Sequence, residues 1–273
     1  MKQKGPKLGG GLDGTQPAIP DPSPAEQSVS EPPTPENPTD VSAGNYRYQG
    51  RDFFKGGLKS KFNANIAAIR TLREIQAENR TTATPEEQAI LSKFTGWGQF
   101  PAVFNDFWDS DWSEKTGKGQ WQHEHRDWDE ERKALRSMMS DDEWNSAKRS
   151  TLNAHYTHPD VVDAHWKIAQ QLGFKGGRYL ETSAGIGYYL GLMPPDLAAK
   201  TRNSAVELDP TTGAMLKLLY PASRVHVGGF QDSVAAIDNH YDLVASNVPF
   251  GGYKVHDPKY NKHQANIHDY FFL

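Results

Sequence analysis

The sequence predicts an α/β chain, with a doubly wound sheet of about four strands preceded by a helical region and a disordered tail. Three observations predict it. From residue 150 onward, short apolar segments alternate with helical patterns, as in parallel strands joined by crossover helices. Between residues 45 and 149, apolar residues recur at helical spacing instead. Residues 1–44 hold half of the 18 prolines among Ser, Thr, Gln, Glu and Gly. Such a stretch buries too little apolar surface to offset its ordering entropy, so a flexible tail is expected.

In the helical region, Phe62, Ile66, Ile69, Leu72 and Ile75 mark one face of a helix from Lys59 to about Asn79. Lys59, Lys61, Arg70 and Arg73 lie on its outer face, either as solvated charges or as contacts to a nucleic-acid backbone. Thr84-Pro85-Glu86-Glu87 predicts a second helix start, with Thr84 as N-cap, Pro85 in the first turn and Glu87 closing a capping box. That helix runs to Gly96-Trp97-Gly98, a tight turn with an aromatic plug, and a short helix carrying Phe100, Val103, Phe104 and Phe107 follows. Trp108, Trp112, Trp121 and Trp128 sit in a polar stretch, where pinning a loop to the core is favoured over base stacking. His123 and His125 have no further ligands nearby, so no metal site is expected. Ser140-Asp141-Asp142-Glu143 is a second capping box.

The α/β half opens with a strand at Gly177-Arg178-Tyr179-Leu180-Glu181, running into Thr182-Ser183-Ala184-Gly185-Ile186-Gly187 and a helix beginning at Tyr188. A glycine turn between strand and helix lets backbone approach a ligand closely. Its spacing is neither the dinucleotide fingerprint Gly-x-Gly-x-x-Gly nor a triphosphate loop, which needs a following Lys-Ser/Thr pair. A second strand, Ser204-Ala205-Val206-Glu207, ends in an acid placed to accept the ribose hydroxyls of an adenosyl group. Asp209, before Pro210, reads as a helix N-cap. The third strand, Arg224–Val227, leads to Phe230 and Asp232, which would flank an adenine ring and take its amino group, or serve as packing and a loop cap.

The fourth strand, Tyr241–Ser246, delivers Asn247-Val248-Pro249-Phe250, followed by Gly251-Gly252. An amino group on a flipped-out base needs two acceptors to draw its hydrogens from the ring plane, and a flat surface to hold the base. The side-chain oxygen of Asn247 and the carbonyl of Val248 supply the acceptors. Pro249 restricts the turn so that they converge, and Phe250 offers the stacking face. Lys254, Lys259 and Lys262 follow, as phosphate contacts or as solvated loop lysines.

The formal net charge of −4 and a pI near 6.2 give no global nucleic-acid signature, so any such contact depends on local patches. There is no cysteine, which excludes disulfides and thiolate metal sites and is compatible with a reducing cytoplasm. No apolar run reaches membrane-spanning length and no signal-peptide core is visible. The expectation is a soluble cytoplasmic protein.

Taken together, these residues resemble the γ-type N6-adenine DNA methyltransferases, in particular the methylase region of large helicase–methyltransferase fusion proteins of phages and mobile elements. The likeness runs from near Lys59 to the last residue. It is carried by Thr84–Gln88, Gly96-Trp97-Gly98, Ser150–Thr157, Leu180–Gly187, Glu207-Leu208-Asp209-Pro210 and Asn247–Gly251. It implies a Rossmann-like class I S-adenosylmethionine-dependent methyltransferase sheet, with Tyr156 and Thr157 at the methionine end of the cofactor. Glu181, Ala184, Gly185 and Gly187 would line the cofactor and Glu207 would hold its ribose. Asn247, Val248, Pro249 and Phe250 would bind the target adenine. Val248 and Thr182 stand where proline is commoner in that family. The full strand order there is 3-2-1-4-5-7-6, so the chain reads as an N-terminal part, 150–273 being a partial catalytic domain. The implied partners are DNA and a helicase region in cis or in trans, in a restriction–modification or anti-restriction setting. The rival readings are an inactive cofactor- or DNA-binding remnant and a protein glutamine methyltransferase.

Overall fold

In the computed structural model the described residues are 44–51, 55–104, 128–152, 155–233, 240–250, 254–260 and 263–271. The expected flexible tail, apart from Gly44, lies outside them, as do Trp108, Trp112, Trp121, His123, His125, Gly251, Gly252 and Lys262.

Helix α1 (Leu58–Ala77) buries Phe62, Ile66, Ile69, Leu72 and Ile75, as the spacing predicts. It ends where Asn79 turns left-handed (φ 53°), with the Arg80 amide donating back to the Ile75 carbonyl at 3.0 Å. Helix α2 (Pro85–Leu91) carries the predicted box: the Glu87 amide donates to Thr84 Oγ1 (3.2 Å) and the Thr84 amide to Glu87 Oε2 (2.8 Å). Arg80 grips the same Glu87 carboxylate and lowers its pKa to about 2. A short α3 (Pro101–Phe104), α4 (Asp129–Arg136) and α5 (Asp141–Ser150) complete the helical region, α5 opening on the Ser140–Glu143 box.

The aromatic plug is real. Trp97 meets Phe94, Phe100 and Phe104 edge-on at centroid distances of 5.6, 6.1 and 5.3 Å. Trp128 packs on Phe62 and Phe100, pinning its segment to this core. The basic face of α1 is largely committed within the protein. Lys59 pairs with Glu131 at 2.6 Å and lies over Trp128, Arg73 pairs with Glu143, and Lys61 donates to Gln99.

The sheet is parallel, in the order β3-β2-β1-β4, built from β1 (Gly177–Glu181), β2 (Thr201–Glu207), β3 (Arg224–Val227) and β4 (Leu243–Val244). Helix α6 (Pro159–Gln171) precedes β1, α7 (Tyr188–Leu192) and α8 (Pro195–Ala198) lie between β1 and β2, and α9 (Pro210–Leu219) joins β2 to β3. Helices between successive parallel strands are the doubly wound α/β arrangement expected of this sequence. Asp209 caps α9, accepting from the Thr212 amide at 2.8 Å.

Two strands differ in extent from expectation. β2 begins earlier, at Thr201, whereas β4 pairs only at Leu243 and Val244 rather than over Tyr241–Ser246. Backbone bonds continue at both of its ends, from the Asp242 amide to the Arg178 carbonyl (2.9 Å) and from the Ala245 amide to the Leu180 carbonyl (3.2 Å), and side chains reinforce them. The Arg178 amide donates to Asp242 Oδ2 (2.7 Å), and the Tyr179 hydroxyl donates to the Ala245 carbonyl (2.7 Å).

One buried cluster joins α1, the Trp97 turn and the helices flanking the sheet. An extended strap at residues 45–48 crosses it: the Tyr46 amide donates to the Leu219 carbonyl, the Tyr48 amide to Gly191, and the Tyr48 hydroxyl to Ser92. Among the described residues no helix is long and apolar enough to cross a membrane.

Candidate functional site

The chain runs outward from β1 to β2 to β3, then returns to the other side of β1 for β4. The reversal puts a switch point between β1 and β4, and ligands of such sheets bind beyond the carboxyl ends of the strands there. The sequence-predicted residues leave β1, β2 and β4 at that end.

The loop after β1 is held by backbone amides. Ala184 donates to the Val206 carbonyl at 2.9 Å, Gly185 to Glu207 Oε2 at 2.7 Å, and Gly187 to the Ala184 carbonyl at 2.8 Å. Gly187 is left-handed (φ 80°), and a methyl group on it would lie 2.4 Å from the Tyr220 ring, so only glycine fits. The Tyr220 hydroxyl donates to the Gly187 carbonyl at 2.7 Å, closing the turn from below.

Two carboxyl groups meet here. Glu207 is half-buried; its Oε1 accepts from the Asp209 amide (2.8 Å) and its Oε2 from Gly185. Burial pushes its pKa up to about 7, with the Asp209 charge adding to the rise and these amides opposing it. Glu181, at the end of β1, is 2% exposed, and its Oε2 has no hydrogen-bond partner among the described residues. Burial, then the nearby charge of Glu207, holds its carboxyl well above the usual range. A buried acid with an unmet acceptor suits a ligand that brings hydrogen-bond donors or positive charge. Among the described residues no group of His, Asp and Glu could hold a metal ion.

Tyr156 lies against the loop: a methyl group on Gly185 would be 3.1 Å from its Cε1. Its ring also meets Tyr188 edge-on at 5.3 Å, and burial, followed by the charge of Glu207, raises its hydroxyl pKa well above normal. Thr157 hydrogen-bonds the Tyr189 hydroxyl, which also contacts His165 Nδ1 at 2.6 Å.

Beyond β4, Asn247 is exposed and its Nδ2 donates to the His155 carbonyl at 3.1 Å, which directs Oδ1 away from His155. Val248 and Pro249 are half-buried, and Phe250 is 55% exposed. The Phe250 ring lies nearly parallel to the His155 imidazole, at 13° and 6.3 Å between centroids. The two halves of the site are tied together, because the Ser183 amide donates to Ser246 Oγ at 3.1 Å. His155 and Tyr156, adjacent in sequence, touch the Asn247–Phe250 segment and the glycine loop respectively.

Phe230 and Asp232 stand on a single 3₁₀ turn at the end of β3. The Phe230 ring packs on Leu180 and Val206 and meets Tyr270 and Phe271 at 6.3 and 5.4 Å. Asp232 is exposed and accepts from Gln231 Nε2 at 3.0 Å. Neither has a hydrogen bond or ring contact with the loop residues above. Sequence reasoning gave no role to His155, Ser183 or Ser246. The last two are small polar residues just beyond a strand end, a pattern too common to single out.

No protein-family model and no curated protein matches the chain. Two solved structures are similar to it in part. One is a provisionally assigned class I S-adenosylmethionine-dependent methyltransferase from Listeria monocytogenes, at 13% identity and a TM-score of 0.32, covering 78% of this chain and 68% of its own. The other is a type I restriction–modification methyltransferase subunit from Streptococcus thermophilus, at 12% identity and a TM-score of 0.32, covering 82% of this chain and 64% of its own.

Proposed function

We propose that the chain is an S-adenosylmethionine-dependent methyltransferase acting on the N6 amino group of adenine in DNA. The observation that carries this reading is the junction at the carboxyl end of the sheet. There a glycine loop gripped by Glu207 is hydrogen-bonded, through Ser183 and Ser246, to the segment that presents Asn247, Val248, Pro249 and Phe250. Cofactor and acceptor sites of a direct transfer must adjoin in this way, because the reacting atoms have to meet within van der Waals distance.

The unmet acceptor on Glu181 and the raised carboxyl of Glu207 fit a ligand with ribose hydroxyls and positive charge. Glu207 would accept from the ribose, Ala184 and Gly185 would pass beneath the ligand, and Tyr156 and Thr157 would close its far end. When bound, S-adenosylmethionine supplies an electrophilic methyl group. Asn247 Oδ1 and the Val248 carbonyl would accept the hydrogens of the adenine amine, drawing its lone pair out of the ring. Phe250 would stack on the base and offset part of the flipping cost of a few kcal/mol. Positioning and preorganised acceptors then account for catalysis without a covalent intermediate.

The test is calorimetric titration of the chain with S-adenosylmethionine, followed by methylation assays on adenine-containing DNA. Binding lost in Glu207→Ala, and transfer lost in Asn247→Ala with binding retained, supports the reading. No binding by a folded chain contradicts it. A glutamine methyltransferase would use the same acceptor pair on an amide nitrogen, and the internal pairing of Lys59 and Arg73 lends DNA no preference. Glutamine-containing peptides therefore belong in the same assay.

A further inference from the structure

Tyr156 is wedged between two glycines from different halves of the molecule. A methyl group on Gly96 would lie 2.5 Å from its Cε2, and one on Gly185 would lie 3.1 Å from its Cε1. Both turns are left-handed at these residues, with φ of 67° and 56°. The Gly96 turn is in turn held by α1. Asn65 is fully buried on the apolar face of that helix, among Phe62, Ile66 and Ile69. Burying an amide there is costly unless its hydrogen bonds are met. They are met by this turn: Asn65 Nδ2 donates to the Gly96 carbonyl (2.8 Å), and Oδ1 accepts from the Thr95 amide (2.7 Å). Next in sequence, Trp97 anchors the turn in the aromatic core at 2% exposure.

We propose that Asn65 and Gly96 are positioning residues for the glycine loop: acting through the Tyr156 ring, they hold Gly185 where its amide reaches Glu207. The helical region is thereby a structural part of the ligand site rather than an appended module. That the ligand is S-adenosylmethionine rests on the reading above; the mechanical link from Gly96 to the loop does not.

The experiment therefore has a readout that needs no ligand. Hydrogen exchange of the 183–187 amides and calorimetric affinity for S-adenosylhomocysteine are measured for the full chain, Gly96→Ala, Tyr156→Leu and the double variant. Gly96→Ala is expected to speed exchange across 183–187 and to weaken binding about tenfold, the low end of what an overpacked contact costs. In the Tyr156→Leu background, which removes the ring the new methyl strikes, Gly96→Ala should have a much smaller effect on both readouts, the remainder being left-handed strain at Gly96 itself. A merely destabilising role would lower Tm without this dependence on Tyr156. If Gly96→Ala leaves loop exchange and affinity unchanged, or alters both equally in the two backgrounds, the proposal is overturned. If the unaltered chain binds no S-adenosylhomocysteine yet Gly96→Ala loosens the loop far more when Tyr156 is present, the positioning role stands and the methyltransferase reading falls. Should Gly96→Ala not fold, Tyr156→Leu alone must speed exchange at 183–187 while leaving α1 protected, or the proposal fails.

Discussion

The amide of Ser183 donates to the hydroxyl of Ser246 across the gap between β1 and β4, at 3.1 Å. Ser183 lies at the start of the glycine loop and Ser246 immediately precedes Asn247, so this bond sets the spacing between the two segments. Removing it in Ser246→Ala costs about 1 kcal/mol of stability, an ordinary figure for a partly buried hydrogen bond. The larger effect is expected on geometry. If the chain transfers methyl groups as proposed, turnover should fall about tenfold while cofactor affinity changes less than about twofold, because misplacing reacting groups weakens transfer more than binding. Steady-state kinetics with varied S-adenosylmethionine separate the two.

Glu207 makes the site sensitive to pH. Its folded-state pKa, about 7 against an ordinary 4.5, means that the ligand-free protein holds a proton the unfolded chain has already lost between those values. Stability therefore declines as pH rises through that interval. In the proposed complex, ribose hydroxyls donating to Glu207 would favour its ionised form, so binding near pH 6 should release a proton and tighten towards pH 8. Calorimetry in buffers of different ionisation enthalpy checks this, and Glu207→Gln should reduce the proton release, leaving only what Glu181 contributes.

Gly187→Ala is expected to destabilise the protein by roughly 2 kcal/mol or more, from overpacking and left-handed strain together. The added methyl would fall 2.4 Å from the Tyr220 ring at a backbone φ of 80°. Urea denaturation measures the loss. Tyr220→Phe removes only the 2.7 Å bond to the Gly187 carbonyl and should cost about 1 kcal/mol.

Asp209 sits two residues past Glu207, yet its carboxylate is occupied by the cap of α9 and by the Ser146 hydroxyl at 2.8 Å. Asp209→Ala should cost about 1 kcal/mol, as for other N-caps. Asp209→Asn keeps a capping oxygen and removes the charge that raises Glu207. Its midpoint for pH-dependent binding should therefore shift to lower pH, read from affinity titrations across pH 5–8.

Much of this was legible in the sequence because it depends on local chemistry. Thr84 with Glu87, Ser140 with Glu143, and Asp209 before Pro210 each define a helix start within four residues, and each forms as read. The burial of one face of α1 and the bounds of β1 and β3 follow from residue spacing in the same way. β4 reads longer in the sequence than it forms, because the apolar run Tyr241–Ser246 does not reveal that backbone bonding to β1 stops at Asp242 and Ala245, where the Asp242 carboxylate and the Tyr179 hydroxyl reinforce it. The alternatives left open for Lys59 and Arg73 could not be narrowed from spacing either, since Glu131 and Glu143 come from distant helices.

By itself the sequence determined the capped helix starts, the apolar face of α1, the strands β1 and β3, and where a glycine turn, a strand-end acid and an Asn-Val-Pro-Phe turn fall along the chain, because period, caps and turn residues act over a few positions. Tertiary structure alone decided what those residues touch: Gly185 on Glu207, Ser183 on Ser246, Tyr156 between Gly96 and Gly185, and the 45–48 strap across α7 and α9. The physical reason is that contacts between residues tens of positions apart depend on how strands and helices stack, and no local pattern of residues encodes that distance.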